Sequence, residues 1–282
     1  MIHSFLMIGQ SNMAGRGYAS EVPSIYNEHI KMQRNGLWQI MSEPINFDRP
    51  SAGVGLAASF AASWRLDNQQ KEIGLIPCAD GGTSLDDWAV GGALFENAVS
   101  QAKLAQRTSQ LSGILWHQGE NDCSPEKAEQ YGEKFAVIIE TLRHELDVPE
   151  IPLIIGGLGD FLPNGIFGQY FTSYLLINQA LEDFANTHAN CYFVTAKGLT
   201  ANADSIHFNA LSQRLFGVRY YGAFRDLKHV IGPYYDEESI LATIYNRPYT
   251  KTEKIKLLEH QFAVGNIEPQ DFLSKLAILN GN

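Results

Sequence analysis

The sequence predicts an α/β protein, a three-layer α/β/α sandwich around a central parallel sheet of about five strands, with a helical extension near its C-terminal end. Three observations carry this expectation. Five short, continuously apolar runs recur over the first 200 or so residues, which is how strands covered on both faces read. Longer amphipathic stretches separate them, and strand–helix–strand alternation closes into a parallel sheet through right-handed crossovers. After about residue 230 the strand-like runs stop.

The five strand candidates are "SFLMIG" (4–9), "EIGLIPCA" (72–79), "LSGILWH" (111–117), "IPLIIGGL" (151–158) and "NCYFVTA" (190–196). Among the helices, "ALFENAVSQAKLAQ" (93–106) has apolar residues at Leu94, Ala98, Leu104 and Ala105. "SPEKAEQYGEKFAVIIETLRHEL" (124–146) offers Ser124 as N-cap and Pro125 as first helical residue. "SYLLINQALEDFANTH" (173–188) and "NALSQRLFGVRYYGAF" (209–224) complete the main set. Three further helices, from "DEESILATIYNRP", "TKTEKIKLLEHQFAVGN" and "EPQDFLSKLAILNGN", follow without a strand between them. A main domain over 1–230 and a helical extension over 231–282 packed on it account for the length, since α/β domains of roughly 200 to 250 residues are ordinary.

Composition narrows the function. An apolar fraction of 45% supplies a large core. A net charge of −10 and a pI near 5.2 argue against binding nucleic acid or anionic membranes, and leave a neutral substrate such as a sugar open. Cys78, Cys123 and Cys191 are odd in number, and two of them lie in strand-like runs, so buried free thiols are expected rather than a disulfide framework. No basic leader or small-residue cleavage site marks "MIHSFLMIGQ", and no window approaches the roughly 20 apolar residues of a membrane span; a soluble, cytoplasmic chain is the expectation. The residues leave the oligomeric state open, a homo-oligomer included.

Four polar stretches follow strands or precede a helix. In an open parallel sheet, ligands bind beyond the carboxyl ends of the strands. Ser11, in "QSNMAG", stands just past the first strand on a turn entering a helix, so free backbone N–H groups would surround its hydroxyl. A nucleophilic oxygen beside free amides suits acyl transfer, although the stretch alone reads equally well as an N-cap. A serine nucleophile needs a base, and "ADSIHFNALSQ" offers His207 with Asp204 three residues before it; a helix cap beside a surface histidine is the plain alternative. In "CADGGTSLDDW" paired glycines would let a backbone amide approach a ligand, or form a simple tight turn. "LWHQGENDC" crowds Gln118, Glu120, Asn121 and Asp122 where unpartnered polar groups would be costly, unless the loop is solvated. His117, Glu120 and Asp122 could be imagined around a metal, but neither a zinc spacing nor a His-Glu-x-x-His motif is present, and no metal or other cofactor is expected.

In this order the four stretches resemble the SGNH (GDSL-like) hydrolase superfamily, in its branch of sialate O-acetylesterases and acetylxylan esterases, carbohydrate esterase family six. The resemblance covers residues 3 to about 225 and implies a flavodoxin-like sandwich and a serine esterase removing O-acetyl groups from a carbohydrate. "GQSNMAGRG" makes Ser11 the nucleophile, and "DSIHFN" makes His207 the base with Asp204 orienting it. "GGTSLDDW" implies the Gly82 amide, with Gly81 next, as an oxyanion donor beside the Ser11 amide. "WHQGEND" is read in two ways: the esterase branch varies at the position of Asn121, which favours the Gln118 side chain as the third donor, whereas the broader Gly-x-Asn-Asp pattern favours Asn121. Glu120 is a second candidate for orienting the histidine. Gln10, Asn12, Gly81, Thr83 and Trp116 are expected to line the substrate site; Trp88, Trp116 and Phe208 would suit sugar stacking but equally the core. Two rival readings are a non-catalytic carbohydrate-binding protein of the same fold, which would not need Ser11, Asp204 and His207 together, and a lipase or thioesterase, for which no long apolar lid is visible.

Overall fold

Residues 1–281 are described by a computed structural model; residue 282, the last of the expected extension, lies outside the described residues. The five expected strands are present as β1 (Ile2–Gly9), β4 (Glu72–Pro77), β5 (Ser109–His117), β6 (Leu153–Gly156) and β7 (Cys191–Val194). Two more, β2 (Ile30–Arg34) and β3 (Leu37–Ile40), bring the sheet to seven in the order β3-β2-β4-β1-β5-β6-β7. Every pairing is parallel except the edge hairpin β2–β3, whose turn is Asn35-Gly36, both at positive φ (52° and 76°). That turn geometry matches the twist of a two-residue hairpin.

The helices are α1 (Ser11–Ala14), α2 (Leu56–Asp67), α3 (Ala93–Gln106), α4 (Pro125–Glu145), α5 (Tyr174–Thr187), α6 (Ala210–Asp226), α7 (Glu237–Tyr245), α8 (Lys251–Ala263) and α9 (Pro269–Asn280). Ser124 caps α4 as expected, accepting the Lys127 N–H. Side chains alternate across the sheet with period two. Leu6 and Ile8 join Ile76, Ile114 and Ile155 under α3, α4 and α5, while Phe5 and Met7 join Leu75, Leu115 and Ile154 under α2 and α6. These are the three layers. All three cysteines are buried free thiols, and among the described residues no helix is long and apolar enough to cross a membrane.

Beyond residue 230, α7 buries Leu241 and Ile244 and is fixed by an Arg219–Glu237 pair at 2.7 Å. Buried Glu253, at the start of α8, accepts Arg247 at 2.8 Å and the Glu28 N–H at 2.9 Å, tying this region to the chain's first thirty residues. In α9 no residue is buried; it leans on α8 through stacked Phe262 and Phe272 rings 4.7 Å apart.

Candidate active site

β1 is the middle strand of the sheet, with β4 and β5 as its two neighbours, so the loops leaving all three converge at one carboxyl edge. β1 ends at Gly9, where φ is +134° and a Cβ would run into the His117 carbonyl closing β5; only glycine lets the two strand ends approach this closely. The Gln10 N–H bonds that carbonyl at 2.9 Å, and Ser11 opens the one-turn helix α1. Gln10 occupies the cap position, so Ser11 is not the cap.

The Ser11 hydroxyl lies 2.9 Å from His207 Nε2, and His207 Nδ1 lies 2.7 Å from Asp204 Oδ2. Asp204 closes a turn on itself: its Oδ1 accepts the backbone N–H groups of Ile206 and His207, each at 2.9 Å. Partial burial pushes this carboxyl upward, but the two N–H groups and the imidazole outweigh it and hold it below the ordinary aspartate value. The cap of α6 is Asn209, whose side chain accepts the Ser212 N–H at 2.8 Å, which leaves Asp204 to the histidine.

Glu120 does not reach His207. Its Oε1 accepts the Asn12 side-chain amide at 2.5 Å, and Asn12 in turn grips both neighbours of the histidine, donating to the Ile206 carbonyl at 3.3 Å and accepting the Phe208 N–H at 3.0 Å. The other oxygen, Oε2, is buried without a hydrogen-bond partner among the described residues. Below it His117 is fully buried, and burial lowers its basicity more than nearby Glu120 restores it.

The candidate oxyanion donors separate by what their N–H groups already do. Those of Ser11 and Gly82 are engaged by no acceptor among the described residues. Gly82 sits at φ +79° with open space on the side where a Cβ would stand, whereas the Gly81 N–H is taken by Asp48 Oδ2 at 2.8 Å. The expectation for Gln118 is corrected. Its side chain is completely buried, its Nε2 is shared among Asp122 (2.6 Å), the Thr83 carbonyl (3.1 Å) and Gln10 (3.2 Å), and its Oε1 faces the Tyr131 hydroxyl at 2.9 Å. The amide that faces the cleft is that of Asn121, which bonds the Gly82 carbonyl at 2.9 Å with one N–H and leaves the other free.

Of the expected substrate contacts Gln10 and Gly81 line the cleft, while Trp116, Thr83 and Asn12 are corrected. Trp116 is wholly buried among Trp88 and Phe135, and Trp88 and Phe208 are buried too, so none of these rings lines the cleft. Thr83 turns inward, donating to the Asp80 carbonyl at 2.8 Å and accepting from Trp88 at 3.2 Å. Gln10 and Asn12 are buried bracing groups, although Gln10 borders the cleft. That cleft, of about 350 Å³, is lined by Ser11, His207, Gly81, Gly82, Glu120 and Asn121 together with residues that sequence reasoning missed: Arg16, Arg49, Ser51, Phe171 and Ile206. Arg16 and Asp48 form a buried pair at 2.5 Å; burial raises the Asp48 carboxyl, and the guanidinium more than reverses it. Half-exposed Arg49 pairs with Asp80 at 2.8 Å. Arg16 carried a signal, a charge between two glycines of the first block, while the irregular segment bearing Asp48 and Arg49 carried none. Among the described residues no group of three or more His, Cys, Asp or Glu is disposed to hold a metal ion.

A hydroxyl, an imidazole and a carboxylate in hydrogen-bonded series, at the carboxyl edge of a three-layer sandwich, define the class as an ester hydrolase of the SGNH kind. The family is more particular: residues 1–226 match the carbohydrate esterases described as sialic acid-specific acetylesterases, and the chain belongs to that family. A probable carbohydrate esterase of Arabidopsis thaliana is 27% identical over 242 residues, 76% of this chain and 86% of the relative. The X-ray structure of that Arabidopsis protein superposes with a TM-score of 0.71, covering 79% of this chain and 98% of the other. Two more distant structures share the fold: NanS (TM-score 0.66, 18% identity, 80% of this chain and 97% of the other) and a carbohydrate acetylesterase from Xanthomonas citri (TM-score 0.61, 19% identity, 79% and 56%).

Proposed function

We propose that the protein is a serine acetylesterase that removes O-acetyl groups from a carbohydrate through an acetyl-enzyme. One observation carries the reading: the Asp204–His207–Ser11 series at 2.7 and 2.9 Å ends beside the uncommitted N–H groups of Ser11 and Gly82. Asp204 keeps a proton on Nδ1, which leaves Nε2 free to accept one from Ser11. As that proton moves, Oγ bonds to the acetyl carbonyl carbon, and charge develops on the carbonyl oxygen. The Ser11 and Gly82 amides and the free N–H of Asn121 receive it. The bond to the sugar oxygen then breaks, and that oxygen takes the proton from His207. Water, deprotonated by His207, attacks the acetyl-enzyme and releases acetate. Glu120 acts at one remove, holding Asn12, which holds the backbone on both sides of His207.

The family description supports an acetylated sialic acid as one candidate sugar, and Arg49 at the rim is a cation an acidic sugar could meet. The test is acetate release across a panel of O-acetylated sugars, acidic and neutral, with Ser11→Ala as control. Loss of several orders of magnitude in the variant is expected; a folded Ser11→Ala protein with near-normal activity refutes the serine mechanism.

A further inference from the structure

A second hollow opens beside the cleft. It encloses about 400 Å³ between Ser124 and Lys127 of the α4 entrance and the aromatic turn bearing Phe167, Tyr170 and Phe171. It shares Glu120, Asn121, Phe171 and Ile206 with the cleft that holds Ser11 and His207, so the two are continuous. Each has the volume of a small-ligand site.

We propose that this hollow is a second sugar subsite, in which the ring next to the acetylated one packs against Tyr170 and Phe167. The proposal rests on the acetylesterase reading above. Carbohydrate rings have apolar C–H faces and hydroxyl rims, and the lining matches: aromatic side chains on one wall, the Lys127 ammonium and Ser124 hydroxyl on the other. Tyr170 is 64% exposed and Phe167 42%, so both have surface to give to a ligand. An acyl chain would want a dry, continuous apolar groove, which a rim of ammonium, hydroxyl and carboxamide does not provide.

The turn is also held in register with the catalytic loops. Successive bonds from the Gly168, Tyr170 and Phe171 N–H groups, at 2.9 to 3.0 Å, lock its shape. The Ser173 N–H reaches the Cys123 carbonyl at 3.1 Å, and the backbone at Gly165 lies against Ser205, the residue after Asp204. Phe161 meets Phe208 edge-on at 5.0 Å, one residue past His207. A ring seated there is thus placed relative to Ser11 without any loop having to order, which lowers the cost of binding.

The experiment compares kcat/KM for the O-acetylated monosaccharide best turned over in the panel and for a disaccharide carrying the same acetylated ring, with 4-nitrophenyl acetate and 4-nitrophenyl octanoate alongside. The wild-type protein should prefer the disaccharide. Tyr170→Ala and Phe167→Ala should each lower that preference about five- to tenfold, through KM, and Tyr170→Phe should restore it. Melting temperatures establish that the variants fold. A wild-type preference of one, or a preference untouched by both alanine variants, overturns the subsite. A loss confined to octanoate does so too, and makes the hollow an acyl pocket. Absence of acetate release from every sugar of the panel and from 4-nitrophenyl acetate overturns the acetylesterase reading and the subsite with it, whereas release from the monosaccharide and the disaccharide without preference overturns the subsite alone.

Discussion

Gln118→Ala and Asn121→Ala should fail in different ways. Gln118 is buried, and its truncation takes from the Thr83 carbonyl its side-chain partner, leaves Asp122 with the Leu85 N–H at 3.0 Å, and leaves Gln10 Oε1 with two long contacts at 3.5 Å. A buried polar group left short costs about 1–3 kcal/mol, and the vacated volume adds to it. The expected loss is about 3–5 kcal/mol of stability, a drop of roughly 10 °C in melting temperature for a chain of this size. The Asn121 side chain is exposed and makes one bond, to the Gly82 carbonyl, so Asn121→Ala should cost less than about 1 kcal/mol in stability. On the proposed mechanism its free N–H faces the developing charge, and removing such a donor should lower turnover about 100- to 1,000-fold. The assay is kcat at saturating 4-nitrophenyl acetate, per folded molecule, with urea unfolding in parallel. A Gln118→Ala protein that melts like wild type yet turns over 100-fold more slowly, beside an Asn121→Ala protein of normal turnover, would refute the assignment.

Asp204→Ala should lower kcat about 10³- to 10⁴-fold, while Glu120→Gln, which keeps an acceptor for Asn12, should lower it far less; the reverse ranking in steady-state kinetics, with melting temperatures matched, moves the orienting role to Glu120. Asp48 titrates below its unfolded value, so its ionised form adds stability above about pH 4 that disappears as pH falls through the depressed folded value. Urea unfolding from pH 7 to 3 should therefore be less steeply acid-sensitive in Asp48→Asn, and an unchanged pH slope counts against the pair. Acetate esters should be turned over well and octanoate esters poorly, since each methylene that does not fit costs about 1–3 kcal/mol; equal rates on 4-nitrophenyl acetate and octanoate would favour a lipase-like site.

The parallel strands were legible because each is an uninterrupted apolar run, and Ser11, Asp204 and His207 because short motifs placed them beyond strand ends. The edge hairpin was missed although Asn35-Gly36 is a strong hairpin turn. Its flanking runs, "IKMQR" and "LWQI", are too polar to read as buried strands. Helix α2 was missed for the opposite reason: "LAASFAASWRLD" is buried nearly all round and shows no amphipathic stripe. In the third block, composition placed Gln118 and Asn121 in one loop. Which of them faces solvent depends on Tyr131 and Asp122 closing over Gln118, and no spacing rule encodes that.

The central place of β1 also bears on how the chain acquires activity as it folds. On the proposed mechanism the nucleophile leaves the middle strand, one oxyanion donor comes from beyond β4 on one side and another from beyond β5 on the other, and the base arrives from 196 residues downstream. Collapse and helix formation can proceed with either seam unzipped, but no catalytic machinery exists until both have closed in register and the last long loop has been brought back. Loop closure at such separations is entropically costly and slow. During refolding, ester hydrolysis therefore reports topological completion rather than compaction, and its recovery should trail the return of helical circular dichroism.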